Sequence, residues 1–310
     1  MGSECSVTMN RKSTIRRILA DLEQIRGTSS KYSDYAIDQL TIFFNASKSI
    51  ARFIPWVLFS APKIDHQKIL EINDFPFPQY EQEMHERLIA AERKAFPGLI
   101  ELQVAAVTAY IISQDKDICI MSLGSGGMEV ERQIFERLIK AKHKYKVTII
   151  GDDYSESAHL VAQKNLSTLQ PVDVFDVDQL SNESLDEMIQ KNKHFAVILC
   201  RNDIFKLSEV FPQKRFDAVM HTLFRHHLTA PEYSQLSGVI KKIGMRCFEY
   251  DGYKSWVAMV PQTIMGWRSP VFLNAEIFSS LRFMNKTEII KNNIGKLTFT
   301  PIGYYLLEVQ

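Results

Sequence analysis

Three glycines and two acids stand close together at Gly124, Gly126, Gly127, Glu129 and Glu131. Glycines in such a turn open backbone angles closed to other residues and let a ligand come near with no Cβ in the way. The acids limit which ligand that is. A helix N-terminus is a natural seat for phosphate, but two carboxylates in the first helical turn would repel a pyrophosphate there. Counted from Gly124, the last glycine of a G-x-G-x-x-G dinucleotide fingerprint is replaced by Glu129, and no Gly-Lys-Ser/Thr ending follows. The pattern suits an adenosine-bearing ligand without phosphates and with positive charge. The other reading is a glycine turn that only joins a strand to a helix. A second acidic pair, Asp152-Asp153, lies further on. Asp153 sits near the spacing of a ribose-binding acid, roughly 20 residues past the turn, although either aspartate could instead cap a helix. A third group, His221, His226 and His227, offers side chains that exchange a proton near neutral pH.

These groups need a frame, and the flanking patterns supply one. Ile118 to Leu123 is an apolar run of strand type, and Val130, Ile134, Phe135 and Leu138 repeat at helical spacing after the turn. Lys146 to Asp152 reads as a second strand, with a helix through Ala158, Leu160, Val161, Ala162 and Leu166. Arg215 to Leu228 reads as a further strand running into a loop. Strand, turn and helix in this order are the unit of doubly wound α/β folds, which hold ligands at the carboxyl ends of parallel strands. S-adenosylmethionine (SAM), with its sulfonium and α-ammonium, has the constitution the glycine turn asks for.

On these residues the chain resembles the class I (Rossmann-like) SAM-dependent methyltransferases over roughly residues 115–245. Met121-Ser-Leu-Gly-Ser-Gly-Gly127 is similar to the family's first motif, Gly151-Asp-Asp-Tyr-Ser155 to its second, and Phe216-Asp-Ala-Val219 with His226-His-Leu228 to its fourth-strand motif. The resemblance implies a mostly parallel sheet with an antiparallel last strand, SAM as cofactor, and methyl transfer to oxygen or nitrogen of a small molecule. It implies SAM contacts from Leu123, Gly124, Ser125, Gly126, Glu129, Asp153, Tyr154 and His221. It also implies an acid after the third strand, near adenine. Asp176 and Asp203 both qualify, and the near-continuous apolar run before Asp203 favours that residue, leaving 172–180 as an added edge strand or an insertion. His227 is the first candidate for a base and His221 the second, unless the His-His-Leu segment only caps the following helix. Ser122 stands where the family commonly has an acid, and Met128 where it commonly has a glycine. Glu129 and the carbonyls around Gly124 are then the candidates for holding the SAM amino group. The alternatives are another SAM-using transferase of the aminopropyl type, or a noncatalytic partner protein on the same fold.

Composition agrees with an enzyme of this kind. The chain has 310 residues and a formal net charge of +1, enough length for a sizeable core and no charge excess that would call for nucleic acid. Its four cysteines (Cys5, Cys119, Cys200, Cys247) lack metal or disulfide spacing, so no metal is expected and a reducing, cytoplasmic setting is. The apolar run Ile50–Ala61 contains Arg52 and Pro55 and is too short to span a bilayer. Met1-Gly-Ser-Glu-Cys-Ser6 fits a loose myristoylation pattern.

Residues 1–110 read as a helical region serving as lid, substrate pocket or homodimer contact, and 111–310 as the SAM-binding domain. The helical readings are Arg11–Arg26, Tyr32–Phe59 and Tyr80–Ser113, with Asp74-Phe-Pro-Phe-Pro78 as a link. After a helix over Glu232–Lys242 and a fifth strand over Met245–Tyr250, an insertion at about 253–285 carries a helix from Leu273 to Leu281. Tyr250, Tyr253, Trp256 and Trp267 are pocket candidates there, against packing in a core or an interface. Thr287–Ile290 and Tyr304–Val309 read as a terminal pair of strands.

Overall fold

Ile118–Leu123 (β1), Val147–Asp152 (β2) and Phe195–Cys200 (β4) are buried at every position, as expected of strands covered on both faces. They form the centre of an eight-stranded sheet in the computed structural model, which describes residues 11–26, 34–60, 63, 86, 98–192, 194–255 and 283–310. The remaining strands are Val172–Asp176 (β3), Ala218–Thr222 (β5), Cys247–Gly252 (β6), Lys296–Phe299 (β7) and Tyr304–Val309 (β8). The order is β3-β4-β2-β1-β5-β6-β8-β7, parallel from β3 to β6, with β8 antiparallel to both β6 and β7. This is the doubly wound, Rossmann-like arrangement with an antiparallel last strand that the sequence calls for. β3 is an edge strand outside β4, so the 172–180 segment is the added strand and β4 is the neighbour of β2.

The helices divide between two faces. Glu129–Lys140 (α5) and Glu156–Leu166 (α6) carry the chain from β1 to β2 to β3 and pack their apolar residues into one core. Asn182–Lys191 (α7), Leu207–Val210 (α8) and Ala230–Ile243 (α9) lead from β3 to β4, β5 and β6 and serve the other face. The chain reverses direction along the sheet when it changes face, which is what crossovers of one hand require. The reversal leaves a switch point between β1 and β5, where Leu123 lies opposite His221.

Before the sheet, Arg11–Ile25 (α1), Asp34–Ala46 (α2) and Ile50–Pro55 (α3) are helical, and Glu101–Ile112 (α4) packs Val104, Val107 and Ile111 into the core beside α5. The long helix read over 32–59 is broken at 47–49 and ends in a π turn, Trp56–Ser60, after Pro55. One expectation is overturned near the C-terminus. Lys286–Asn292 (α10) is a helix, because Asn285 and Glu288 form a capping box, and the strand paired with β8 is β7 instead. Neither Asp152 nor Asp153 caps α6; Ser155 does, accepting from Ala158 N. Trp256, Trp267 and the 273–281 helix lie outside the described residues.

Candidate functional site

The glycine turn leaves β1 at the switch point, where open α/β sheets bind their ligands. Gly124 takes φ +57° and Gly126 φ +50°, the left-handed region that glycine enters at little cost. Met128 follows at φ 58°, an uncommon backbone angle for a residue other than glycine, and its sulfur lies against Gly151 in β2. A Cβ on Gly124 would collide with the ring of Phe224, so the bare backbone of the turn is in use. Leu123 is fully buried, and Ser125 N donates to Asp152 O at 3.2 Å, tying the turn to β2.

The two acids of α5 have different surroundings. Glu129 accepts from Gln133 Nε2 at 3.0 Å and from Asn165 Nδ2 at 3.2 Å, so its carboxylate is held against α6. Glu131 reaches back under the turn, and Ser122 Oγ donates to its Oε1 at 2.5 Å. A carboxylate from α5 therefore stands at the end of β1, where Ser122 had left the motif without one. Burial pushes Glu131 up to about 7, with the Ser122 hydrogen bond acting in the opposite sense and Glu129 adding to the rise. The sequence reading offers Glu129 or the carbonyls around Gly124 as the partner of a bound amino group, and Glu131 is a further acid at the turn. The missed signal was the serine at 122 together with a second acid in the helix's first turn.

Asp153 Oδ2 accepts from Gly126 N at 2.8 Å and its Oδ1 from Ser155 N at 2.9 Å, so the second-motif acid touches the glycine turn directly. Asp152 is buried, and its Oδ1 accepts from Asn202 N at 2.8 Å, which fixes the loop after β4. Burial raises Asp152 to about 7, offset in part by the bonds from Asn202 and Cys200. That loop carries Asp203, about half exposed, which accepts from Phe205 N at 3.0 Å and pairs with Lys206. Asp176 ends β3, one strand further from β2, and is held by Gln163 with His159 Nδ1 at 3.7 Å. Tyr154 is 89 % exposed.

Across the switch point, β5, β6 and β8 turn a set of polar side chains toward α9. Glu249 accepts from Arg225 Nη1 at 2.7 Å, Tyr233 Oη at 2.5 Å and Tyr305 Oη at 2.6 Å. Burial opposes both charges, but the pairing wins: Glu249 is held below the usual carboxylate range and Arg225 above the usual guanidinium range. Asp251 accepts from His226 N at 3.0 Å and lies 2.8 Å from its Nδ1. His221 is buried beside them. Its Nε2 stands 3.5 Å from Glu249 Oε2 without the geometry of a hydrogen bond, and neither ring nitrogen has a hydrogen-bond partner among the described residues. Burial lowers its pKa against the pull of Glu249 and Asp251, which favours the neutral ring.

His221, Arg225, Glu249 and Tyr305 are among the residues lining an open cavity of about 860 Å³ between α9, α10 and the β6–β8 side of the sheet, where Ala230, Ser234, Gly238 and Lys241 of α9 are exposed. His227 is not in its lining; it sits in a 3-10 turn with its ring 4.2 Å from that of His226. Phe224 lies between the two regions, against Gly124 on one side and 6.3 Å from the His221 ring on the other. Tyr250 is a core residue, stacked on Tyr304 and bonded to Leu99 O, which removes it from the pocket candidates. Tyr253 packs edge-on against Phe299 outside the cavity lining.

No family model matches the chain, and no curated protein does. Solved structures align with it at low identity. The plantazolicin methyltransferase BpumL, in complex with a monoazolic desmethylPZN analogue and SAH, is 13 % identical, with 79 % of this chain and 98 % of that one covered and a TM-score of 0.46. BamL, also a plantazolicin methyltransferase, is 14 % identical over 78 % and 74 % of the two chains, with a TM-score of 0.43. A protein of Methanococcus maripaludis with a provisional assignment as a SAM-dependent methyltransferase is 11 % identical over 74 % and 92 %, also at 0.43. The fold assigned to this chain rests on its own strand order and crossovers: a doubly wound, Rossmann-like α/β sheet closed by an antiparallel pair.

Proposed function

We propose that this protein is a SAM-dependent methyltransferase acting on oxygen or nitrogen of a small molecule. One observation carries the reading: a glycine turn at the switch point is backed by a buried carboxylate, Glu131, rather than by phosphate-binding groups. The residues fit the cofactor. A Cβ-free backbone at Gly124 and Gly126 lets adenosine approach, and Glu131, oriented by Ser122, is the partner for an α-ammonium. We assign the ribose hydroxyls to Asp153, which lies at the turn, and the adenine edge to Asp203, on the loop after the neighbour of β2. SAM supplies an activated methyl group when bound. The chain's own task is then alignment and exclusion of water, which can contribute about 7–11 kcal/mol, and removal of one proton from the acceptor. His221 suits that proton better than His227. Burial favours its neutral form, it lies opposite Leu123, and its ring nitrogens have no hydrogen-bond partner among the described residues.

Calorimetry with SAM and with NAD tests the reading. Saturable uptake of SAM, abolished in Gly126→Val, is expected. Binding of NAD with no response to SAM would overturn it. A chain that binds SAM in neither form but keeps a protein partner through α1–α3 would favour the noncatalytic alternative.

A further inference from the structure

Helix α3 and the π turn that follows it form one short helical segment with two apolar sides. Phe53 and Trp56 are buried and pack their rings on Phe43 of α2, at centroid distances of 5.7 and 5.4 Å. That contact occupies one side. Ile50, Ile54 and Leu58 recur every fourth residue on another, and all three are exposed, as are Pro55 and Phe59. Phe59 is 67 % exposed, although phenylalanine is among the residues that folding most often buries. Ile42 of α2 is exposed as well. The other exposed large apolar side chains among the described residues are spread from Ile112 to Ile302. Single exposed residues are ordinary, whereas a group gathered on one segment marks an interaction surface.

The charge pattern selects the partner. From Gln39 to Ile64 the chain has no acid, and its cations there are Lys48, Arg52 and Lys63, all exposed. Residues 11–63 hold nine Lys and Arg against four Asp and Glu, in a chain whose net charge is only +1. A second copy docked here by two-fold symmetry would set one copy's cations against the other's, with no acid in the segment to pair them. A nucleic acid would answer the cations but not the apolar side. An anionic lipid surface answers both. Apolar side chains of a short helix reach the acyl boundary, and Lys and Arg keep their charges among the headgroups.

We infer that the surface around Ile50, Ile54, Leu58 and Phe59 docks this protein on a lipid bilayer with anionic headgroups, the segment lying in the interface without crossing it. The inference stands apart from the methyl-transfer reading, because these helices precede the sheet that carries the glycine turn.

Flotation of the full chain with vesicles tests this, using phosphatidylcholine alone and a two-to-one mixture of phosphatidylcholine and phosphatidylserine. The chain should float with the mixture and stay behind with phosphatidylcholine, and raised salt should weaken the binding. Arg52→Ser should weaken it about fivefold, the effect of one cation near an anionic surface. Ile54→Ser combined with Phe59→Ser should weaken it by about tenfold or more, as apolar area leaves the acyl boundary. Both positions are exposed, so circular dichroism should be unchanged. Ile294→Ser removes a side chain that is 92 % exposed elsewhere and should leave the binding as it was. No flotation with either vesicle, equal flotation with both, or a loss in Ile294→Ser as large as in the double variant would overturn the inference. So would a concentration-dependent dimer in size-exclusion chromatography that Phe59→Ser abolishes, which would give the surface to a second copy. A chain that takes SAM but ignores vesicles loses only the docking surface, and one that floats but ignores SAM loses only the methyltransferase reading.

Discussion

The glycine turn and the cavity under α9 meet at one register pair, Leu123 and His221, yet they are built in opposite ways. The turn draws Ser122 to Glu131 from one strand–helix unit and adds Asp153 from the next strand. The cavity draws His221 and Arg225, Tyr233, Glu249 and Tyr305 from four elements and the loop between them. The turn is held by backbone angles and by hydrogen bonds within two consecutive strand–helix units. The cavity wall is held by a buried network that runs from Arg225 through Glu249 to Tyr305 near the C-terminus. A local motif can be damaged locally, whereas a buried network fails as a whole.

Glu249→Ala is expected to show the largest effect. It strands the Arg225 guanidinium in the interior, and breaking a buried pair from one side costs about 3–5 kcal/mol. Denaturant unfolding should read that loss, and a change under about 1 kcal/mol would mean that the pair is solvated and the network loose. Gly124→Val comes next. A Cβ meets Phe224 and a branched residue is forced to positive φ, a backbone cost of about 1–2 kcal/mol before any clash. SAM affinity should collapse in calorimetry, and unchanged affinity would remove the turn from the cofactor site.

Asp153→Ala should weaken SAM binding by about 1–3 kcal/mol, as for loss of a charge-assisted hydrogen bond. Unchanged affinity in calorimetry would remove Asp153 from the ribose role. Glu131→Gln should cost about tenfold in SAM affinity and alter its pH dependence. Glu131 is raised to about 7 by burial, so it loses charge as pH falls through 7, and wild-type affinity should fall with it. The glutamine variant should be flat there. Stability runs the other way. A carboxyl raised in the folded state contributes its full share below its ordinary pKa and loses it as pH rises through 7, so Glu131 and Asp152 both make the protein less stable toward pH 8. Asp176→Ala should have the smallest effect on SAM, below about 0.5 kcal/mol, because β3 lies one strand beyond the neighbour of β2. A loss equal to that of Asp203→Ala would return adenine to Asp176.

The same contrast governs what could be read in advance. The parallel strands, the turn and α5 announce themselves because apolar runs, glycines and helical spacing are local patterns, and each of these elements agrees with its own sequence. The strand read at 287–290 failed for a local reason as well: the capping pair Asn285 and Glu288 outweighs a short apolar run. Glu131 was visible only as one of two acids, since Ser122 and α5 had to be brought together before one could be chosen. Along the chain the near-continuous apolar run before Asp203 favours it over Asp176, and the sheet order puts β4, the strand before Asp203, beside β2.

By itself, then, the sequence determined the doubly wound sheet, the glycine conformation of the turn and the acidic residues around it. All three follow from steric limits and periodicity acting over a few residues. Only the tertiary structure decided that Glu131 supplies the carboxylate beneath the turn, that His221 rather than His227 faces the cavity, and that Tyr250 is core. Those outcomes depend on which side of a pleated strand meets which helix, and on burial, which makes the pairing of each polar group depend on its tertiary neighbours.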